Sequence, residues 1–153
     1  MDGISLNGSF PMSVDSKARI TLPANFRKAM DVRTIKLVPF PFDGCVLGFT
    51  PEGFDDWKYR LFNRDGKTYD ERNRSEAKLM RMLNASVVDV EIDTAGRIAL
   101  GKLDASQPGT REKYGLMKDV RVIGNGDHFE IWGADQWVNE QDDSDDLASL
   151  FYR

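Results

Sequence analysis

The sequence predicts an α+β, β-rich fold in which two copies of one unit complete a single core. Three observations point there. An Asp-x-x-x-Arg motif occurs twice between the same apolar flanks, as VDSKARITL at residues 14–22 and as IDTAGRIAL at residues 92–100. An apolar run closes each copy, CVLGF at 45–49 and HFEIW at 128–132, and an aromatic follows five residues later, Phe54 or Trp137. The chain has 153 residues and is 41% hydrophobic, enough for one core or for two small halves that share one. Two copies are too few for a solenoid, whose units need several neighbours, and suit a pseudo-twofold domain.

The elements follow in order. SFPMSV and SVVDVEI alternate apolar and polar residues and read as the first strand of each copy. The Asp-to-Arg turn comes next, and then a short strand, RITL or RIAL. PANFRKAM is helical, with Pro23 at a natural first helical position. A strand pair closes each copy: TIKLVPF with GCVLGF around the turn Pro41–Gly44, and VRVIGN with HFEIW around the turn Gly124–Asp127. A helix opens behind each pair. Thr50 with Pro51 and Glu52 is a cap signature, and the second helix begins near Ala134. Between the copies, NRDGKTYDERNRS is turn-rich, and EAKLMRMLN reads as a helix with Leu79, Met82 and Leu83 on its apolar face. The motifs are offset by 78 residues and the closing strands by 83, so five extra residues are expected in KLDASQPGTREKYG.

Charge is unevenly placed. The net is −4, which alone argues neither for nor against nucleic acid. Residues 1–41 carry six Lys and Arg against three Asp, and residues 139–153 carry five acids against Arg153. The acidity is therefore local to the tail. No 18-residue apolar run exists, so no membrane span is expected. The first ten residues lack the basic start and apolar stretch of a secretory signal. One Cys excludes an internal disulfide, no Cys/His cluster offers a zinc site, and a reducing cytoplasm is the expected compartment.

Four stretches carry a family resemblance: VDSKARITLPANFR, DGCVLGFTPEGF, VEIDTAGRIAL and DVRVIGNGDHFEIW. They resemble the MraZ family, bacterial transcriptional regulators with two tandem AbrB-like (SpoVT/AbrB) half-domains. The resemblance runs from about Gly8 to Trp137. It implies a double-split β-barrel with flanking helices. It also implies a ring-shaped homo-oligomer on short promoter repeats of the division and cell-wall gene cluster, in the cytoplasm and at the nucleoid. The corresponding division is 1–62 for the first half-domain, 63–84 for linker and helix, 85–141 for the second half-domain and 142–153 for an acidic tail. Two departures stand out. The second motif has no Lys to match Lys17, and Gly101 stands where the family usually shows Pro, ahead of an irregular LDASQPGT insertion.

The residues supply a chemistry for this reading. Asp15 and Asp93 can close their loops on Arg19 and Arg97 by charge-assisted hydrogen bonds. Lys17 and Arg19 then face outward, where a guanidinium fork suits phosphate oxygens or a guanine edge and an ammonium gives a compact charge. Arg27 and Lys28 follow on the helix beside the first motif, and Arg97 divides between DNA and Asp93. The expected DNA contacts are thus Lys17, Arg19, Arg27, Lys28 and Arg97, with the first loop contributing more than the second. Trp57, Leu61 and Phe62 are candidates for contacts between subunits. The expected partners are promoter DNA and further copies of the chain, with no cofactor, metal, membrane or small-molecule substrate.

Other readings are weaker. An AbrB-like antitoxin-type module could use the tail and LASLFYR to neutralise a basic partner, but that layout usually has one unit and a long tail. Enzymatic use of Asp15 and Asp93 fails because Arg partners would depress both pKa values, poor preparation for a general acid. His128 lies in a strand and Cys45 in an apolar run, and both read as structural. Gly124–Asn125–Gly126 is a turn with no Gly-Lys-Ser/Thr behind it, so it is no phosphate loop.

Overall fold

The computed structural model describes residues 3–141 and 144–153. Met1 and Asp2, and Asp142 and Asp143 of the acidic tail, lie outside the described residues.

The first copy runs β1 (Ser9–Ser13), β2 (Arg19–Thr21), α1 (Ala24–Met30), β3 (Thr34–Phe40), β4 (Cys45–Phe49) and α2 (Pro51–Phe62). After α3 (Arg74–Ser86), the second runs β5 (Val88–Glu91), β6 (Arg97–Ala99), α4 (Gly101–Ser106), α5 (Thr110–Lys113), β7 (Asp119–Gly124), β8 (Phe129–Gly133) and α6 (Ala134–Gln141). Helix α7 (Ser144–Phe151) ends the chain. The fold is α+β: six strands form one antiparallel sheet in the order β1-β7-β8-β4-β3-β5, and β2 and β6 form a separate antiparallel ribbon.

The sheet order is a palindrome of the two copies. Each first strand crosses to the other copy, β1 to β7 and β5 to β3, while β4 and β8 pair at the centre. Ile20 lies opposite Ile98 and Leu47 opposite Glu130. These are the pairs that the 78- and 83-residue offsets make equivalent, so one twofold relation runs through both. The five-residue slip resolves into two changes. Ile35 pairs Val90 and Val120 pairs Met12, which places Ile35 and Val120 as equivalents 85 residues apart. A hairpin turn two residues shorter in the second copy then restores 83.

One sheet face, with the ribbon, α1 and α4, buries Ile20, Leu22, Phe26, Val46, Ile98, Leu100, Leu103, Phe129 and Ile131. The other face buries Cys45, Leu47, Phe49, Phe54 and Trp132, with Trp57, Leu83 and Trp137 packed against them. Strand β4 is buried at all five positions, which explains a continuous apolar run in place of an alternating one. The paired aromatics close the second cluster: Phe54 meets Phe49 at 6.2 Å, and Trp137 meets Trp132 edge-on at 5.5 Å. Burial raises the pKa of the Cys45 thiol far above its ordinary range, so this group packs as a small apolar residue.

Helix ends follow the local chemistry. Thr50 Oγ1 accepts from Gly53 N at 3.0 Å, with Pro51 as the first helical residue. Asn73 caps α3 by accepting from Ser75 N and Glu76 N. Pro23 is the N-cap of α1 with extended ψ, one place before the first helical position that its φ also suits. Gly124 ends β7 and is not a turn residue. LDASQPGT is not irregular: α4 and α5 occupy it, tied by Arg111 Nε to Asp104 Oδ2 at 2.8 Å and by Arg111 N to Asp104 Oδ1 at 2.9 Å. A glycine at the start of α4 and Pro108–Gly109 between the helices mask the pattern in the sequence.

Two residues expected at a subunit contact are engaged within the chain. Trp57 stacks on Phe49 at 4.9 Å, and Phe62 meets Tyr69 edge-on at 5.5 Å. Leu61, the third, remains exposed, as do Tyr59, Leu79 and Met82, and Leu147, Leu150 and Phe151 of α7.

Candidate nucleic-acid interface

Each ribbon strand is entered through an Asp-x-x-x-Arg loop, and the two loops have the same geometry. Asp15 Oδ1 accepts from Lys17 N at 2.9 Å and Arg19 N at 2.8 Å, while Oδ2 accepts from Arg19 Nε at 2.9 Å. Asp93 Oδ1 accepts from Ala95 N at 3.0 Å and Arg97 N at 2.8 Å, while Oδ2 accepts from Arg97 Nε at 2.9 Å. Asp N donates to the Arg carbonyl at 2.9 Å in both. The fourth residue of each turn is left-handed, Ala18 at φ 61° and Gly96 at φ 81°. Gly takes that conformation freely, whereas in Ala it costs about 1 kcal/mol.

The loops also hold each other. Leu22 N donates to Gly96 O at 2.9 Å and Leu100 N to Ala18 O at 2.8 Å, one bond in each direction. Val14 N donates to Lys118 O and Ile92 N to Arg33 O, so an exposed cation of the opposite copy flanks each loop. The sequence did not single out Lys118 and Arg33. The signal that finds them is the 78-residue equivalence of Val14 and Ile92, joined to the strand exchange.

With Ile20 and Ile98 buried, strand alternation turns Arg19 and Arg97 to the outer face of the ribbon. Arg19 pairs Ala99 and Arg97 pairs Thr21, so the two Arg Cα atoms lie on the order of 8 Å apart by strand geometry. Among the described residues, each guanidinium uses only its Nε on its Asp, which leaves the Nη groups available. Lys17 and Lys28 are exposed, and neither has an ion pair among the described residues. The N–H of Arg19, then its guanidinium and the N–H of Lys17, hold the Asp15 carboxyl below its ordinary pKa. The same set on Arg97 and Ala95 does so for Asp93. Both carboxylates are ionised at neutral pH and serve as fixed acceptors.

No protein-family model matches the chain. The transcriptional regulator MraZ of Coxiella burnetii is 30% identical to it over 139 residues, 89% of this chain and 84% of the relative. The chain belongs to the MraZ family of transcriptional regulators. The MraZ proteins of Lactiplantibacillus plantarum and Lachnoclostridium phytofermentans are each 29% identical, over 92% of this chain and 94% and 91% of their own lengths. The match therefore spans both motif loops of this MraZ-family chain.

A second polar cluster lies away from the loops. His128 Nδ1 sits 2.8 Å from Asp127 Oδ1, and Nε2 sits 3.1 Å from Glu130 Oε2. Arg60 of α2 reaches Asp127 at 2.7 Å, Asn125 and Trp132 donate to Glu130, and the imidazole stacks on Phe49 at 5.0 Å. Burial works against imidazolium, but the two carboxylates outweigh it and raise the His128 pKa. Burial likewise opposes ionisation of Asp127 and Glu130, and His128 with its neighbours lowers both. The cluster ties α2 to the β7–β8 hairpin, a structural role for the single His of this MraZ-family protein.

The pH dependence follows with a definite sign. The raised His128 pKa gives stability that is complete below its unfolded value and is lost as pH rises through the folded one. The lowered carboxyls give stability that is complete above their unfolded values and is lost as pH falls through the folded ones. Melting temperature is expected to peak at roughly pH 5 to 6. His128→Gln should flatten the alkaline limb, measured by thermal melts from acid to alkaline pH. An alkaline limb that survives His128→Gln unchanged would assign it to another group.

Proposed function

We propose that the protein binds double-stranded DNA through its two Asp-x-x-x-Arg loops. In this reading it acts as a ring of identical subunits, each a double-split barrel of two AbrB-like half-domains (1–62 and 85–141). Its sites are short repeats in the promoter of the division and cell-wall gene cluster that contains its own gene, which places it at the nucleoid in the cytoplasm. One observation carries the reading: two structurally equivalent loops turn Arg19 and Arg97 to one outer face, with their Nη groups unengaged among the described residues. Guanidinium donors spaced along one face suit the regularly spaced phosphates of a duplex.

Self-association draws support from α3, whose Leu79 and Met82 remain 59% and 58% exposed on a helix with no buried residue. A ring would repeat the loop pair along successive DNA repeats, so modest contacts multiply through avidity. The test is a mobility-shift titration on DNA upstream of its own gene and on an unrelated duplex, at two salt concentrations. Preferential, salt-weakened binding to the upstream DNA is expected. Equal binding to both duplexes would remove the promoter assignment, and no binding to either would remove DNA as the partner.

A further inference from the structure

By sequence the second loop is one cation short, because Ala95 stands where the first has Lys17. The three-dimensional placement of Arg27 changes that account. Arg27 belongs to α1 of the first copy, yet its guanidinium lies on the bare backbone of Gly96 in the second loop. A Cβ on Gly96 would come within 2.5 Å of Arg27 Cζ, 2.6 Å of Nε and 2.7 Å of Nη1. Arg27 Nε donates to Leu22 O at 3.2 Å, and Leu22 N donates to Gly96 O at 2.9 Å, so the side chain is fixed over the crossing of the two copies. Arg27 is half-buried and has no carboxylate partner among the described residues.

We propose that Arg27 is the second loop's missing cation: a phosphate-contacting residue that reaches across the twofold relation and replaces the lysine absent at Ala95. The inference rests on the DNA-binding reading and names a partner for that loop which sequence proximity assigns to the first.

The first loop does not permit the same arrangement. Its left-handed residue is Ala18, whose Cβ already fills the space that Gly96 leaves open, and the α4 residue equivalent to Arg27 is Ala105. Each loop therefore ends with two cations, Lys17 with Arg19 and Arg27 with Arg97. With Nε turned inward to Leu22 O, the Nη edge of Arg27 supplies the donors for a phosphate oxygen, which a guanidinium can engage in a fork. The positive charge of the DNA face is thereby evened between the halves.

The test is a rescue in the full-length chain. Arg27→Ala should weaken binding to the upstream DNA about tenfold and lower the salt slope by about one. Adding Ala95→Lys to that variant should restore both, while the melting temperature stays at the Arg27→Ala value. Adding Ser16→Lys instead, an extra lysine on the first loop, should restore little. Failure of Ala95→Lys to restore binding, or equal rescue by Ser16→Lys, would overturn the assignment and leave Arg27 a staple between the copies. Absence of DNA binding by the parent chain would instead remove the reading on which the inference rests.

Discussion

Replacing both Lys17 and Arg19 by alanine is expected to weaken binding to the upstream DNA by about a hundredfold or more, with the fold retained. Each lost charge-assisted hydrogen bond to phosphate is worth roughly 1.5–3 kcal/mol, and the salt slope should fall by about two. The fold survives because Asp15 keeps its backbone donors from residues 17 and 19, which alanine also supplies. The Asp15–Arg19 ion pair is itself partly exposed and adds little to stability. Binding titrations and thermal melts of the same preparations read the two effects separately. Full affinity in the double variant would move the DNA contact off the first loop.

The largest expected stability effect lies at Gly48. This residue pairs Phe129 where β4 and β8 meet, and a Cβ there would clash with the Cζ edge of the buried Phe129 ring. Phe129 stacks on Phe26, which in turn meets Phe10 edge-on at 5.4 Å, so the ring cannot retreat without moving the core on that face. Gly48→Val should destabilise the fold by about 3 kcal/mol or more, at the upper end of overpacking costs. Denaturant titration measures it. A second-site Phe129→Ala, which opens the space, should recover part of the loss. A Gly48→Val chain as stable as the parent would contradict the central pairing of the two copies.

Much of this architecture is legible in the chain because it is written twice. Asp15 and Asp93, Ile20 and Ile98, and the CVLGF and HFEIW runs share offsets that the strand register then uses. Local chemistry also reads well where a single side chain decides the outcome, as at the Thr50 cap. Contacts between the copies are harder to read. Lys118 and Arg33 reach the loops by backbone bonds across exchanged strands, and no local spacing encodes that exchange. Arg27 is the clearest case. Sequence proximity assigns it to the first loop, whereas the absence of a side chain at Gly96, far along the chain, decides where its guanidinium rests. The α4–α5 segment escaped for a different reason: its helices are short, and Asp104 with Arg111 joins them in place of an apolar stripe.

The expectation that the first loop dominates DNA binding rests on Lys17, which the second loop lacks, on Arg27 and Lys28 nearby, and on Arg97 being engaged by Asp93. The geometry supports a more even division, since Arg19 and Arg97 are held by their Asp residues at the same distances. Binding of the Arg19→Ala and Arg97→Ala variants to the upstream DNA, measured side by side across a salt series, tests the paired-loop account most directly. The account predicts that each variant lowers the salt slope by about one and that the two lose affinity to a similar extent. A parent-like slope and affinity for Arg97→Ala, beside a clear loss for Arg19→Ala, would contradict it.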